Sequence, residues 1–163
     1  MDYLWSPWRY RYISTASDAD ACIFCGAATA GDDREMLVVH RARHVFVILN
    51  RFPYTSGHLM VVPHAHVGTL SDLDEEAAVE MALVVRQAEG YLRRLYKPDG
   101  LNVGINIGRS AGAGIAGHIH THVLPRWTGD ANFMTTVGET RVLPEDLADT
   151  WEKLSRAWRG GNG

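Results

Sequence analysis

Three histidines stand at alternate positions in Gly117-His118-Ile119-His120-Thr121-His122-Val123-Leu124-Pro125-Arg126. Alternation is the strand period, so the three imidazoles are expected on one face of a strand while Ile119, Thr121 and Val123 turn toward a core. Neighbouring rings would lie about 6–7 Å apart, two residues of roughly 3.3 Å rise each. Such a row suits two chemistries. Two rings could ligate one zinc ion and leave a position open for water, as in metal hydrolases. Alternatively, one ring is a nucleophile and its neighbours orient it. Three titratable rings beside a glycine loop are a poor way to fill a core.

That loop, Gly108 to Gly117, immediately precedes the row. Its glycines let backbone N–H groups converge on an anion the size of a phosphate, although such loops also serve as plain turns. The Gly-Lys-Ser/Thr ending of a P-loop is absent, which argues against magnesium-dependent phosphoryl transfer of that type. Cys22-Ile23-Phe24-Cys25 reads as a redox dithiol, a half-site for zinc, or an unliganded thiol pair. A redox pair belongs between a strand and a helix of a βαβ unit, which the surrounding order does not offer. As a zinc half-site it needs two histidines or carboxylates from elsewhere, because the chain has no third cysteine.

The elements that must position these residues follow from periodicity. Met36 to His40 and His44 to Leu49 read as strands across an Arg41-Ala42-Arg43 turn, Leu59 to Pro63 as a third, and Leu101 to Ile107 and Ile119 to Leu124 as two more. Ser71 to Tyr96 is the strongest helix, with Ser71 or Asp72 as its cap. Met81, Val85, Ala88, Leu92 and Leu95 form its buried stripe, and Pro98-Asp99-Gly100 stops it. Residues 144–158 read as a C-terminal helix with Pro144 at its start and Leu147, Trp151, Leu154 and Trp158 on one face. Ser14 to Asp20 and Gly26 to Asp33 read as loops. The first 21 residues form an aromatic-rich arm around Leu4-Trp5-Ser6-Pro7-Trp8-Arg9-Tyr10, packed on the domain or covering an interface or a site mouth. The fold class is α+β: an antiparallel sheet of about five strands with helices on one side.

With 163 residues and 46% apolar composition, one domain spanning 1–163 with a sizeable core is expected. A net charge of −3 lacks the basic footprint of a nucleic-acid binder. No apolar run is long enough to cross a bilayer or to serve as a signal peptide, so no membrane partner and a cytoplasmic location are expected.

Several of these motifs together resemble the histidine triad (HIT) family, over nearly the whole chain. They are the histidine row, Ser56-Gly57-His58 leading into Leu59 to Pro63 with His66 beyond, and Asn102-Val103-Gly104-Ile105-Asn106 ahead of the loop. The arm, the Cys-x-x-Cys pair, Pro125-Arg126-Trp127 and Gly129-Asp130-Ala131-Asn132-Phe133 resemble its bacterial branch that contains diadenosine tetraphosphate phosphorylases. The resemblance implies a HIT-like fold and a homodimer joined by the long helix and the sheet edge. It also implies cleavage of adenosine polyphosphates at the α-phosphate, through a nucleotidyl-His120 intermediate resolved by phosphate or water. Related AMP conjugates (phosphoramidates, aminoacyl-adenylates) are the alternative substrates, and nucleotide binding with vestigial catalysis the alternative function. Catalysis is then assigned to His120 and His122. Substrate binding is assigned to Asn50, His58, Asn106, Gly112, Ala113, Gly114 and Trp127. Zinc-containing members imply a structural zinc on Cys22, Cys25, His66 and His118, with no catalytic metal or organic cofactor. His40, His44 and His64 are left as surface histidines. Where those phosphorylases carry a serine close to Gly114, this chain has small apolar residues or glycine, which leaves the acceptor open between phosphate and water.

Overall fold

The computed structural model describes residues 22–131, 135, 137 and 143–161. The aromatic arm and residues 132–133 of the glycine-aspartate motif lie outside them. Five strands form one antiparallel sheet: β1 (Val38–Arg41), β2 (Val45–Leu49), β3 (Leu59–Pro63), β4 (Gly100–Ile105) and β5 (Thr121–Arg126), in the order β1-β2-β3-β5-β4. Among the described residues three α-helices flank it: α1 (Ile23–Thr29), α2 (Glu75–Tyr96) and α3 (Leu147–Arg159). This is the α+β architecture expected.

Every residue of β2 and β3 is buried, so this central pair needs cover on both faces. Val45, Val47, Leu49, Leu59, Val61 and Val123 face α2 and α3 and pack with Met81, Val84, Leu92, Trp151 and Leu154. The intervening side chains, Phe46, Ile48, Met60 and Val62, face α1 and pack with Phe24 and Ala27. The expectation of helices on one side is therefore corrected. A seven-residue helix, placed where a loop was expected from Gly26 onward, covers the second face.

α2 begins later than the sequence suggested. Leu70–Asp72 makes a separate 3-10 turn and Leu73 is extended, its side chain buried. Asp74 is the cap, accepting from the Ala77 N–H at 2.9 Å, and Glu75 and Glu76 follow in the first turn. Lys97, in the left-handed region at φ 45°, ends the helix. Its buried stripe runs Ala77, Met81, Val84, Ala88, Leu92, with Val85 and Leu95 on the flank. α3 is capped by Asp146 rather than started by Pro144, and the Trp151 indole N–H donates to the Val38 carbonyl at 2.7 Å, fixing the helix to β1. Gly57, just ahead of β3, sits at φ 80° with Leu92, Tyr96 and Pro125 atoms 3.2–3.3 Å from where a Cβ would stand. Only glycine fits that approach.

β5 starts at Thr121, two residues beyond the expected start. Ile119 donates to the Val67 carbonyl at 2.7 Å instead of joining the ladder. His118 and His120 thus lie in an irregular segment leading into the strand, and only His122 is in it.

Candidate active site and metal centre

Cys22 occupies the N-cap position of α1 and Cys25 lies in its first turn, so both sulfurs sit at the end of the helix that favours negative charge. Across from them are His66, just past β3, and His118. Cys22 Sγ is 3.3 Å from His118 Nδ1, Cys25 Sγ is 3.7 Å from the same nitrogen and 3.2 Å from His66 Nδ1. All four ligand atoms lie within 4.8 Å of one another. Zinc bonds of about 2.3 Å to sulfur and 2.0–2.1 Å to nitrogen at tetrahedral angles place ligand atoms roughly 3.3–3.8 Å apart. The observed spacing and the Cys2His2 donor set fit such an ion. Burial and the neighbouring Cys22 push the Cys25 thiol upward, a strain that a cation between the sulfurs would relieve. His118 Nε2–H donates to the Pro63 carbonyl at 2.8 Å, which assigns the tautomer and leaves the Nδ1 lone pair aimed into the cluster.

The second histidine turns the other way in function. His120 Nδ1–H donates to the His118 carbonyl at 2.8 Å, so its Nε2 carries the lone pair. The residue is 5% exposed, and burial holds its pKa below the ordinary value of 6.5. At neutral pH the ring is an uncharged imidazole with one fixed tautomer, the form a nucleophile requires.

His122 faces His120, with ring centroids 4.9 Å apart, and its tautomer is set by His58, the residue just ahead of β3. The backbone N–H of Tyr54 donates to His58 Nδ1 at 3.2 Å, and the Asn50 amide group stands 3.4 Å from the same nitrogen. An accepting Nδ1 leaves the proton on His58 Nε2, which donates to His122 Nδ1 at 2.9 Å. His122 then carries its own proton on Nε2. The Tyr54 ring lies 4.8 Å from His58 and 6.3 Å from His122, flanking the pair. Register supports the same arrangement: His122 pairs with Met60 on one side and with Gly104 on the other, where the missing side chain leaves open space. Asn106 follows the last rung of this ladder, Ile105 opposite Thr121.

The structure thus brings together His118, His120, His122, His58 and Asn50, with Asn106 at the end of β4. It treats the loop and the tryptophan differently. Gly112 and Ala113 donate inward to the carbonyls of Arg109 and Gly108, at 2.9 and 3.3 Å, closing a 3-10 turn. Trp127, one residue past the end of β5, packs edge-on against Tyr96 of α2, 6.4 Å between centroids. His40, His44 and His64 are half-buried rather than free on the surface: His40 stacks on Trp158, His44 lies 3.3 Å from Glu76, and His64 stacks on Phe46. Two contributors went unread in the sequence. Tyr54 supplies the backbone donor to His58, and Phe24 touches both His118 and His120. Phe24 lies between the two cysteines, and that position was the signal for it.

The HIT-domain family model matches residues 33–129. The AP-4-A phosphorylase of Mycobacterium tuberculosis (strain H37Rv) is 40% identical, covering 95% of this chain and 83% of its own length. Protein hit of Bacillus subtilis is 30% identical over 85% of this chain and 94% of its own. Among solved structures, a zinc-bound histidine triad family protein from Mycobacterium smegmatis superposes with a TM-score of 0.69 at 29% identity, over 86% of this chain and 94% of that one. The diadenosine triphosphate hydrolase of Plasmodium falciparum shares the fold, with a TM-score of 0.65 at 18% identity over 80% of each chain.

Proposed function

This chain belongs to the HIT-domain family, and on that premise we propose that it cleaves adenosine polyphosphates such as diadenosine tetraphosphate at the α-phosphate. His120 Nε2 attacks the α-phosphorus, the bond from phosphorus to the bridging oxygen breaks, and the remaining nucleotide leaves. The His122 Nε2–H, held in that tautomer through His58, hydrogen-bonds the phosphate and supplies a proton to the departing oxygen. Asn106 and the Gly114 amide face the charge that develops on the α-phosphate. Asn50 binds the ribose from its place beside His58. The AMP–His120 intermediate is then opened by water to give AMP or by phosphate to give ADP.

One observation carries this reading: the 2.8 Å hydrogen bond that fixes His120 with its lone pair on Nε2, inside a site that keeps it neutral. His120→Ala is the test. Turnover should be lost while nucleotide still binds, and retained turnover would overturn the proposal. The Gly112-Ala113-Gly114 stretch offers no side-chain hydroxyl to hold an incoming phosphate, which favours a second reading, hydrolysis of AMP conjugates with water as acceptor. Product analysis fixes the acceptor, ADP appearing only with added phosphate meaning phosphorolysis and AMP in either condition hydrolysis, and the ratio of kcat/KM on diadenosine tetraphosphate to that on an adenosine phosphoramidate separates the two substrate classes.

Zinc on Cys22, Cys25, His66 and His118 is structural in this proposal. It would tie α1 to the segment that leads into β5, and the chemistry runs on the other two histidines. A homodimer is proposed for the edge of the sheet. β4 is an edge strand with Val103 exposed, and α2 leaves Val79 and Leu83, one turn apart, exposed as well.

A further inference from the structure

α1 carries more than metal ligands. Between its cysteines stands Phe24, 2% exposed, whose ring meets His118 edge-on at 5.3 Å and His120 at 4.9 Å with a 51° tilt. The hydrogen bond from His120 Nδ1 fixes the tautomer but leaves the ring able to pivot about that bond. An aromatic ring seated against its side removes the pivot. Phe24 in turn depends on what holds α1. Seven residues are too few for a helix to persist by itself. At its C-terminal end the Arg41 guanidinium donates to the carbonyls of Ala28, Ala27 and Ala30 at 2.6, 2.7 and 3.3 Å and pairs with Asp33. At the other end the anchors are Cys22 and Cys25, facing His118 and His66.

We propose that Phe24 is a positioning residue that couples metal ligation at Cys22, Cys25, His66 and His118 to the orientation of the His120 ring. Occupancy of the cluster then sets the rate of the chemistry as well as the stability of the fold. The rate part rests on His120 as nucleophile; the ring-orientation part does not.

Nitrogen NMR of labelled imidazoles, recorded without nucleotide, reads the orientation directly. In the zinc-loaded wild type, His120 should show a single tautomer with its Nδ1–H protected from exchange with water. Phe24→Leu and Phe24→Met keep an apolar side chain in place, and both should retain zinc yet lose that protection. With diadenosine tetraphosphate as substrate their kcat should fall about 10–100-fold, the scale of a small misplacement at a reacting atom, with KM little changed. Wild type stripped by a chelator should lose the same Nδ1–H signal. Three results would overturn the coupling: zinc-loaded variants with kcat within about twofold of wild type, an Nδ1–H signal that survives chelation, or variants whose activity merely tracks their metal content. If the imidazole signals respond as described but wild type turns over no adenosine polyphosphate, the coupling stands and the proposed substrate falls.

Discussion

Replacing His58 by phenylalanine separates a tautomer-setting role from simple substrate contact. The residue is 1% exposed and links two partners, accepting from Tyr54 N–H at 3.2 Å and donating to His122 Nδ1 at 2.9 Å. His58→Phe keeps an aromatic ring, somewhat larger than imidazole, at the position and removes both bonds. The Tyr54 N–H is left without that acceptor, at about 1–3 kcal/mol for a buried polar group. In a protein of this length each kcal/mol moves Tm by about 2–4 °C, so Tm should fall by roughly 2–12 °C. The kinetic effect comes from His122, whose proton is no longer confined to Nε2. Losing one oriented hydrogen bond in a buried site, about 1.4–2.7 kcal/mol, corresponds to a 10–100-fold fall in kcat. Because the donor matters most to the leaving oxygen, kcat and kcat/KM should fall together with KM nearly constant. Steady-state kinetics on diadenosine tetraphosphate, paired with a thermal melt, reads both numbers. Unchanged kcat with a lowered Tm would make His58 purely structural. A raised KM with unchanged kcat would make it a substrate contact.

Three other perturbations test the frame around the site. Gly57→Ala, forced to φ 80° against Leu92, Tyr96 and Pro125, should cost about 1–3 kcal/mol in denaturant unfolding. Cys25→Ala should abolish zinc binding measured by metal analysis and lower Tm, and Cys22→Ala should do the same; a variant with full metal content would remove the cluster assignment. Asp130, held down to about 2 by the Arg126 guanidinium hydrogen-bonded to it, has a folded pKa below its unfolded value. Its contribution is therefore present above about pH 4 and lost as pH falls toward 2. Asp130→Asn should lower stability at pH 7 and converge on the wild type as pH falls toward 2, flattening the stability curve across that window.

Much of this fold was legible because its elements announce themselves locally. Leu59 to Pro63 was bounded residue for residue, and α2 and α3 were evident from the spacing of their apolar residues. What escaped was set by tertiary contact. α1 is too short to show a period, and its placement comes from Arg41 and the cysteines. α2 starts at Asp74 because Leu73 is buried in an extended conformation, a fact of packing and not of composition. At the site, the triad's face was readable from alternation, but the division of labour needed distances: which nitrogen of each ring meets a carbonyl or a backbone N–H. Trp127 is the instructive case. It lies one residue past the end of β5, so alternation did not reach it, and its ring packs against Tyr96.

The most direct measurement is to trap the covalent intermediate. Zinc-loaded protein mixed with diadenosine tetraphosphate without phosphate, quenched within one turnover and digested, should yield a peptide spanning His120 that carries one AMP unit on His120. His120→Ala should yield none. An adduct on another residue, or steady turnover by His120→Ala with no adduct at all, would contradict the assignment of His120 as the nucleophile.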